Sequence, residues 1–354
     1  MYKRFFTLLI IVISLLQMGC AQEERTVWSK EKAEQWYAGQ GWLRGSDFIP
    51  STAVNQLEMW QAATFDTTTI NRELGYAASI GLNSMRVYLH HLAWLTDPEG
   101  FKKRVDTYLS IANGHGISTM FVLFDDCWNK EYHAGTQPAP RTGIHNSGWV
   151  QDPGPALQRN ITLTDTLERY VKDILTTFGK DSRVVLWDLY NEPGNEGSGN
   201  KSLVLLEKAF HWGREVNPQQ PLSAGVWDWN LKELSTFQLE NSDVITYHNY
   251  GPPEQHQRMI DTLRTFGRPL ICTEYMARTR GSHFENIMPL LKKENIGAYN
   301  WGLVAGKTNT IYAWDQPMPD GGEPNPWFHD IFRKDGTPYS QEEVAVIKKL
   351  TGKQ

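Results

Sequence analysis

Hydrophobic and polar positions follow two recurring patterns along the chain: short apolar runs and longer stretches with helical spacing. Eight of the short runs are bounded by turn-forming residues such as glycine and proline, which indicates buried strands. The predicted strands cover residues 42–49, 83–89, 118–124, 184–190, 222–226, 244–247, 270–273 and 298–301.

Segments with helical character follow the predicted strands. Apolar residues recur every three or four positions at 162–178, 201–216 and 254–266. Two further helices are predicted to begin at Asp66 and Asp97, because aspartate is a favoured N-cap and Pro98 fits the first helical turn. A strand followed by a helix, repeated eight times, predicts a parallel sheet with crossover helices.

Eight such units suggest an α/β fold closed into a (β/α)8 TIM barrel, with an open doubly wound sheet as the alternative. No glycine-rich dinucleotide fingerprint follows the first predicted strand, which favours the barrel. Neither a linker nor a change of composition divides the later part of the chain, so we expect a single domain over residues 21–354.

The first twenty residues are predicted to be an export signal rather than part of the fold. Lys3 and Arg4 precede an apolar stretch at 5–16, which is shorter than the roughly 20 residues that span a bilayer. The stretch ends near Gly19-Cys20, which resembles a bacterial lipoprotein cleavage site, although Gln17 stands where that pattern usually has leucine. We expect a lipid on Cys20 and anchoring to the outer membrane or in the periplasm, with plain secretion as the alternative.

Composition narrows the classes of partner. A net charge of −5 and a pI near 6.1 disfavour nucleic acid. The 14 Trp, 14 Tyr and 14 Phe suit either a large aromatic core or a groove whose flat faces bind sugar rings. Cys127 and Cys272 are predicted to be buried free thiols, since Cys272 lies in a predicted strand. We expect a monomer that binds a carbohydrate and needs no cofactor or metal.

Two glutamates follow apolar strands on opposite sides of the predicted barrel. Glu192 comes after strand 184–190 and is followed by Pro193, while Glu274 comes after strand 270–273. Barrel enzymes place catalytic groups at these carboxyl-terminal strand ends. One glutamate alone would more simply cap a helix or lie in a loop, but a pair is able to flank a glycosidic bond. A gap of about 5–5.5 Å would give retention and one of about 6.5–9.5 Å inversion, which the sequence leaves open.

Other strand ends carry polar or aromatic side chains that suit supporting roles. A guanidinium near one carboxylate lowers the pKa of that carboxylate, and imidazoles and carboxylates bind sugar hydroxyls. Each residue alone also suits an ion pair, a core histidine, a turn acid, a lid or ordinary packing, but together they indicate a site. The candidates are Arg86, His90 or His91, Asp125 or Asp126, Trp227 and Trp229, His248, Tyr250 and Trp301.

Three short motifs follow predicted strands: Asn191-Glu192-Pro193 after the fourth strand, His248-Asn249-Tyr250 after the sixth strand and Glu274 after the seventh strand. With these motifs, the sequence resembles the retaining glycoside hydrolases of clan A. Within that clan it is similar to the cellulase-like glycoside hydrolase family 5. The resemblance implies a covalent glycosyl-enzyme, with Glu192 as acid/base and Glu274 as nucleophile. It also implies that Asn191 binds the sugar 2-hydroxyl and that Arg86 and Tyr250 hold Glu274. His248 would line the site, and Trp301 would stack under the sugar. Asp125 and Asp126 have no firm counterpart in the family, and either His90 or His91 matches the histidine that the family has after strand 2.

These roles require different pKa values for the two glutamates. We expect the charge of Glu274 to raise the pKa of Glu192, and Arg86 to lower that of Glu274. We expect the substrate to be a β-glucan, a β-mannan or a xylan, or a short oligosaccharide or side-chain glycoside. Endo and exo action both remain open, although the long stretch 129–160 on the active face would favour exo action by closing one end of the cleft.

Two other functions remain possible from the sequence. A metal-dependent barrel of the sugar isomerase type would use His133, His145, Asp125 and Asp126, although their spacing is not that of a typical ligand set. A non-catalytic carbohydrate-binding lipoprotein should lack one of the paired glutamates, and this chain has both.

Overall fold

The computed structural model describes residues 25–354. The predicted signal over residues 1–20 and the predicted lipidation at Cys20 lie outside the described residues, so both remain predictions. Between residues 25 and 354, no helix is both long and apolar enough to cross a bilayer.

Eight parallel strands form one sheet that closes into a (β/α)8 barrel, as the alternating pattern predicts. The strands are β1 (Arg44–Asp47), β2 (Ser84–Tyr88), β3 (Ser118–Asp125), β4 (Val184–Asn191), β5 (Leu222–Ser223), β6 (Ile245–His248), β7 (Leu270–Tyr275) and β8 (Gly297–Trp301). Their order is β5-β4-β3-β2-β1-β8-β7-β6, and a parallel bridge between Val226 and Tyr247 joins the two ends.

Helix α1 precedes the first strand, and at least one helix follows every strand. Within residues 25–354 they are α1 (Lys30–Gln40), α2 (Gln56–Trp60), α3 (Thr67–Ser79), α4 (His91–Thr96), α5 (Pro98–Gly114), α6 (Ala156–Arg159), α7 (Leu163–Phe178), α8 (Leu203–Val216), α9 (Lys232–Asn241), α10 (Pro253–Arg264), α11 (Phe284–Lys293) and α12 (Gln341–Thr351).

The helix starts and faces follow from local chemistry. The side chain of Asp66 accepts a hydrogen bond from the backbone of Thr69 at the start of α3, and Asp97 caps α5 in the same way. Each such cap stabilises its helix by about 1 kcal/mol. Helix α7 buries one apolar face against the sheet, with buried residues spaced three or four positions apart, because that spacing places them on the same side.

Two strand ends differ from the predicted bounds in ways that affect the site. Strand β7 continues to Tyr275, so that Glu274 lies inside the strand rather than after it. Strand β5 is paired only over Leu222–Ser223, and the chain after it returns to the sheet at Val226. The predicted free thiols are confirmed: Cys127 and Cys272 are both buried and unpaired.

Candidate active site

Glu274 is held at the carboxyl-terminal end of β7 by three donors. Its Oε1 accepts hydrogen bonds from Nη1 of Arg86 at 2.8 Å and from the hydroxyl of Tyr88 at 3.0 Å. Its Oε2 accepts one from the hydroxyl of Tyr250 at 2.7 Å. Charge-assisted bonds of this kind are stronger than neutral ones. The contacts of Arg86 and Tyr250 with Glu274 are those that the family resemblance implies.

Arg86 lies inside the barrel and is fully buried. Besides Glu274, its guanidinium donates to Oδ1 of Asp47 at 2.7 Å and to Oδ2 of Asp188 at 2.8 Å. Burial raises the pKa of Asp188, and it raises the pKa of Asp47 well above its usual range despite the nearby guanidinium. In both carboxyls burial thus opposes the guanidinium, which favours their charged form.

Glu192 is the first residue after β4, and its backbone has a φ of +42°, a left-handed conformation that is uncommon for a residue other than glycine. Its Oε1 accepts from Nδ1 of His248 at 2.8 Å. Its Oε2 accepts from Nδ2 of Asn195 at 2.6 Å and from the thiol of Cys127 at 3.2 Å. Backbone strain of this kind is typical of residues at functional sites.

The expected direction of the Glu192 pKa is wrong for the protein without substrate. Burial alone would raise that pKa, but the hydrogen bond and positive charge of His248, together with Cys127 and Asn195, lower it below the usual value. The sequence indicated the two carboxylates, but it did not place His248 between them.

The two glutamates face each other across His248. Its Nδ1 lies 2.8 Å from Oε1 of Glu192 and 3.5 Å from Oε2 of Glu274. One carboxylate oxygen of each glutamate and one nitrogen of His248 all lie within 4.8 Å of one another. Two carboxylates at this separation are able to act on the same small group of atoms.

Asn191 lies beside both glutamates, with its amide orientation fixed by its neighbours. Its Oδ1 accepts from Nη2 of Arg86 at 2.7 Å, and its Nδ2 donates to Oδ1 of Asp125 at 2.9 Å. Asp125 is buried in turn, accepts from the indole of Trp149 at 2.6 Å, and has its pKa raised by burial to about 7. Asp125 therefore orients Asn191 instead of facing the cleft.

The glutamates open onto two connected cavities. The first, which we call the pocket, has a volume of about 400 Å³ and is lined by Asn191, Glu192, Glu274 and Trp301 at the strand ends and by Trp128, His145 and His329 in the loops. The second, which we call the groove, has a volume of about 880 Å³ and is lined by Glu192, Trp227, Trp229, Arg258, Arg280 and Trp314. Trp227, Tyr250 and Trp314 border both cavities, as Glu192 does.

A family model for cellulase (glycosyl hydrolase family 5) matches residues 52–306, which is more than half of the chain. The chain belongs to glycosyl hydrolase family 5. It is therefore an O-glycoside hydrolase, and its paired glutamates lie where the barrel fold places catalytic groups. A search of curated proteins finds no match to the chain.

Solved structures share the family 5 barrel at low sequence identity. An endo-1,4-β-D-mannanase from Thermotoga petrophila is 14% identical with a TM-score of 0.56, over 88% of this chain and 99% of that one. A β-mannanase from the blue mussel Mytilus edulis is 18% identical with a TM-score of 0.52, over 75% and 87%. An exo-β-1,4-mannosidase from an Opitutaceae bacterium is 14% identical with a TM-score of 0.61, over 88% and 59%.

Two predicted substrate-binding residues of this family 5 enzyme do not face the cleft. His90 is fully buried, with Nε2 at 3.2 Å from the carbonyl oxygen of Gln151 and Nδ1 accepting from the backbone of Leu92. Its neighbour His91 is hydrogen-bonded to Asp152. Both histidines therefore attach the loop after β3 to the barrel.

Asp126 likewise has a structural environment. Its carboxylate accepts from the hydroxyl of Tyr190 at 2.8 Å, from the backbone of Gly194 at 2.8 Å and from the hydroxyl of Ser202. These bonds fix the turn that follows Glu192. Asp126 thus supports the acid-bearing turn without lining either cavity.

The remaining predicted residues meet at the cleft. His248, Tyr250, Trp227 and Trp301 border the pocket or the groove, and Trp229 is 39% exposed along the groove. The loop 129–160 lies on the active face, as expected, since His145 lines the pocket.

Several residues at the site were not among the predicted ones. The position of Tyr88 at the site could have been predicted, because a strand residue two positions after Arg86 lies on the same face of β2. Cys127, Asn195 and Trp314 lie in irregular connections, where periodicity gives no information about direction.

The four candidates for a metal site do not assemble. His133 is exposed on its loop, while Asp125 and Asp126 are occupied by separate hydrogen bonds. Among residues 25–354, the two groups with metal-like spacing are His90, His91 and Asp152, and Glu192, His248 and Glu274. The first is closed by its own hydrogen bonds, and the second is the glutamate pair itself. Family membership and this geometry favour the hydrolase over the isomerase and the binding protein.

Proposed function

We propose that the enzyme hydrolyses β-glycosidic bonds with retention of configuration, by double displacement at Glu274 and Glu192. The observation that carries this proposal is the approach of the two carboxylates to within 4.8 Å, with His248 between them. That separation suits a nucleophile in contact with the anomeric carbon and leaves less room than the roughly 6.5–9.5 Å needed for an inverting water.

In the first step, a carboxylate oxygen of Glu274 forms a bond to the anomeric carbon while the bond from that carbon to the leaving oxygen breaks. Arg86, Tyr88 and Tyr250 support the nucleophile because their bonds orient its two oxygens and stabilise its charged form. The leaving oxygen takes a proton from Glu192.

Glu192 supplies that proton from a position fixed by its hydrogen bonds. Nδ1 of His248 lies 2.8 Å from Oε1 of Glu192, and together with Cys127 and Asn195 this histidine lowers the pKa of Glu192. The incoming leaving oxygen and the loss of water around the carboxyl favour its protonated form, from which the proton passes to the leaving oxygen.

In the second step, Glu192 removes a proton from a water molecule, whose oxygen attacks the anomeric carbon and releases Glu274. Once the sugar is attached to Glu274, that carboxylate has lost its charge, and Glu192 is able to act as a base. Asn191 is oriented for a bond to the 2-hydroxyl, and Trp301 lines the pocket with an aromatic face for the sugar ring.

The substrate is a β-linked glucan, mannan or xylan, or a short oligosaccharide derived from one of them. β-Mannosides are the first to test, since the solved structures with the same fold include two mannanases and a mannosidase. The experiment is proton NMR of the earliest product from a panel of aryl β-mannosides, β-glucosides and β-xylosides. We expect the β-anomer to form first. Initial formation of the α-anomer would show inversion and overturn the mechanism.

A further inference from the structure

The two cavities beside the glutamates are not lined by the same glutamates. Glu274 lines the pocket but not the groove, whereas Glu192 lines both. In double displacement, the nucleophile contacts the anomeric carbon of the sugar that becomes attached, and the acid contacts the oxygen that leaves. If the proposed function holds, the attached sugar therefore lies in the pocket and the leaving group extends along the groove.

The pocket is bounded by two loops that are hydrogen-bonded to each other. The backbone of Asn146 donates to the carbonyl of Thr308 at 2.8 Å, and that of Met318 donates to the carbonyl of Gly143 at 2.9 Å. The side chain of Asn309 adds a bond of 2.8 Å to the carbonyl of Arg141. Bonds between backbones hold the loops in register, so that residues 141–146 and 308–318 form one continuous wall.

The close approach of the two loop backbones requires glycine at position 143. Its φ is +66°, and a Cβ built there would lie 1.7 Å from the carbonyl oxygen of Met318. No other residue allows the two backbones to approach in this way. The wall is thus specified by the sequence at the point of contact.

His145 lines the pocket from this wall. Its Nδ1 lies 2.8 Å from the carbonyl oxygen of Tyr312, so the hydrogen is assigned to Nδ1. Burial lowers the pKa of His145 to about 4, which keeps the ring neutral near pH 7. With its hydrogen on Nδ1, the neutral ring retains the lone pair of Nε2 as an acceptor, and a sugar hydroxyl is able to donate to it.

His329 borders the same cavity from outside the two loops. Its Nδ1 lies 2.6 Å from the carbonyl oxygen of Met276, and its Nε2 is buried without a partner among the described residues. The two imidazole rings lie 5.4 Å apart. His329 therefore packs behind His145, and the acceptor of His145 suits a hydroxyl at the end of a sugar chain.

From the walled pocket and the more open groove, we infer that the enzyme removes one sugar at a time from the non-reducing end of its substrate. The terminal sugar lies in the pocket against His145, and the remainder of the chain, as leaving group, lies along Trp227, Trp229 and Trp314 in the groove. The wall of His145, Asn146 and Trp314 bounds the pocket, which favours a terminal sugar there over an internal one.

The test uses 4-nitrophenyl glycosides of one, two and three sugars, built from the monosaccharide whose aryl glycoside the enzyme hydrolyses. With the trisaccharide, we expect the first products to be a monosaccharide and the aryl disaccharide, and nitrophenol to appear only after a lag. Immediate release of nitrophenol together with an intact trisaccharide would overturn the inference but leave the proposed function standing. Failure to hydrolyse the aryl monosaccharides alone would also overturn the inference, whereas failure to hydrolyse the glycosides of one, two and three sugars in every class would overturn the proposed function.

Variants of His145 test the wall directly. We expect His145→Ala to lower kcat/KM for the aryl monosaccharide about tenfold, which corresponds to one lost hydrogen bond. His145→Gln should recover part of the loss because its amide oxygen also accepts. His133→Ala is the matched control, since His133 lies exposed on the same loop away from the pocket. Equal kcat/KM for all three variants and the parent, at unchanged Tm, would show that His145 does not bind the sugar.

Discussion

Glu274 lies inside strand β7, whereas Glu192 is the first residue beyond strand β4. The side chain of Glu274 is held by Arg86, Tyr88 and Tyr250, which lie on or directly after strands of the barrel. Besides His248 on β6, Glu192 is held by Cys127 and Asn195, which lie in the loops after β3 and β4. Glu274 is thus held by the sheet, whereas Glu192 is held partly by turns.

The groups beside the two glutamates differ in the same sense. Arg86 is a permanent charge, because an arginine guanidinium does not lose its proton in proteins. His248 instead offers an imidazole, whose ring nitrogens donate or accept a hydrogen bond according to the tautomer. A permanent cation favours a carboxylate that must remain ionised to attack, while an imidazole suits one that must receive a proton and return it. The difference between the surroundings therefore corresponds to the two roles that we propose.

The largest expected effect separates the two roles by their dependence on the leaving group. Glu274→Ala should lose turnover by roughly 10⁴-fold or more with every substrate, because no nucleophile is left. Glu192→Ala should lose roughly 10²–10⁴-fold with an alkyl or sugar leaving group. With a dinitrophenyl leaving group, which needs no proton, the same variant should form the glycosyl-enzyme at nearly the parent rate, as a pre-steady-state burst measures.

Azide provides the control for that comparison. It should restore turnover to Glu274→Ala and give a glycosyl azide of inverted configuration. With Glu192→Ala it should speed the second step and give a glycosyl azide of retained configuration. The reverse assignment of products would exchange the roles of the two glutamates.

A smaller effect concerns stability. Arg86→Met leaves Asp47, Asp188 and Glu274 buried without their cation, and loss of one partner from a buried ion pair costs about 3–5 kcal/mol of unfolding free energy. Asn195→Ala removes one hydrogen bond to a partly buried carboxylate and should cost about 1 kcal/mol. Urea unfolding at pH 7 measures both variants.

Arg86→Lys keeps the variant measurable if Arg86→Met does not fold. Lysine retains the charge but not the forked geometry that contacts several carboxylates at once, so its loss should lie between the other two. Equal destabilisation by Arg86→Lys and Asn195→Ala would mean that the sheet does not hold its glutamate more firmly than the turn does.

The same contrast explains how much of the site could be predicted from the sequence. Glu274 and Arg86 were predictable because strand periodicity and strand ends determine where their side chains point. Asp188 also had a signal, as a charged residue within an apolar strand. The partners of Glu192 beyond His248 depend on turns whose paths no periodic pattern encodes, so Cys127 and Asn195 were missed.

Two predictions failed for a related reason. His90 and Asp126 follow strands, as catalytic residues do, but each is turned inward by bonds to a loop distant in sequence. The sequence shows that a polar residue stands at a strand end, whereas its direction depends on which loop packs above it. The lowered pKa of Glu192 belongs to the same class, since it depends on how closely His248 approaches.

The smallest expected effect tests one turn-borne contact. Burial raises the pKa of the Cys127 thiol well above its usual range, so the group stays protonated and donates to Glu192. Removing this donor in Cys127→Ala destabilises the carboxylate form and raises the pKa of Glu192. Because the acid must be protonated in the free enzyme, the basic limb of the pH profile of kcat/KM should move to higher pH.

Two further variants show whether that shift arises from the hydrogen bond. Asn195→Ala removes a shorter bond, at 2.6 Å against 3.2 Å for the thiol, and should move the limb further in the same direction. Cys127→Ser keeps a donor at the same position, so its limb should stay where it is or move to lower pH, since a hydroxyl donates more strongly than a thiol. A shift to higher pH in both Cys127 variants would indicate that packing around the loop after β3, rather than the thiol hydrogen bond, sets the proton affinity of Glu192.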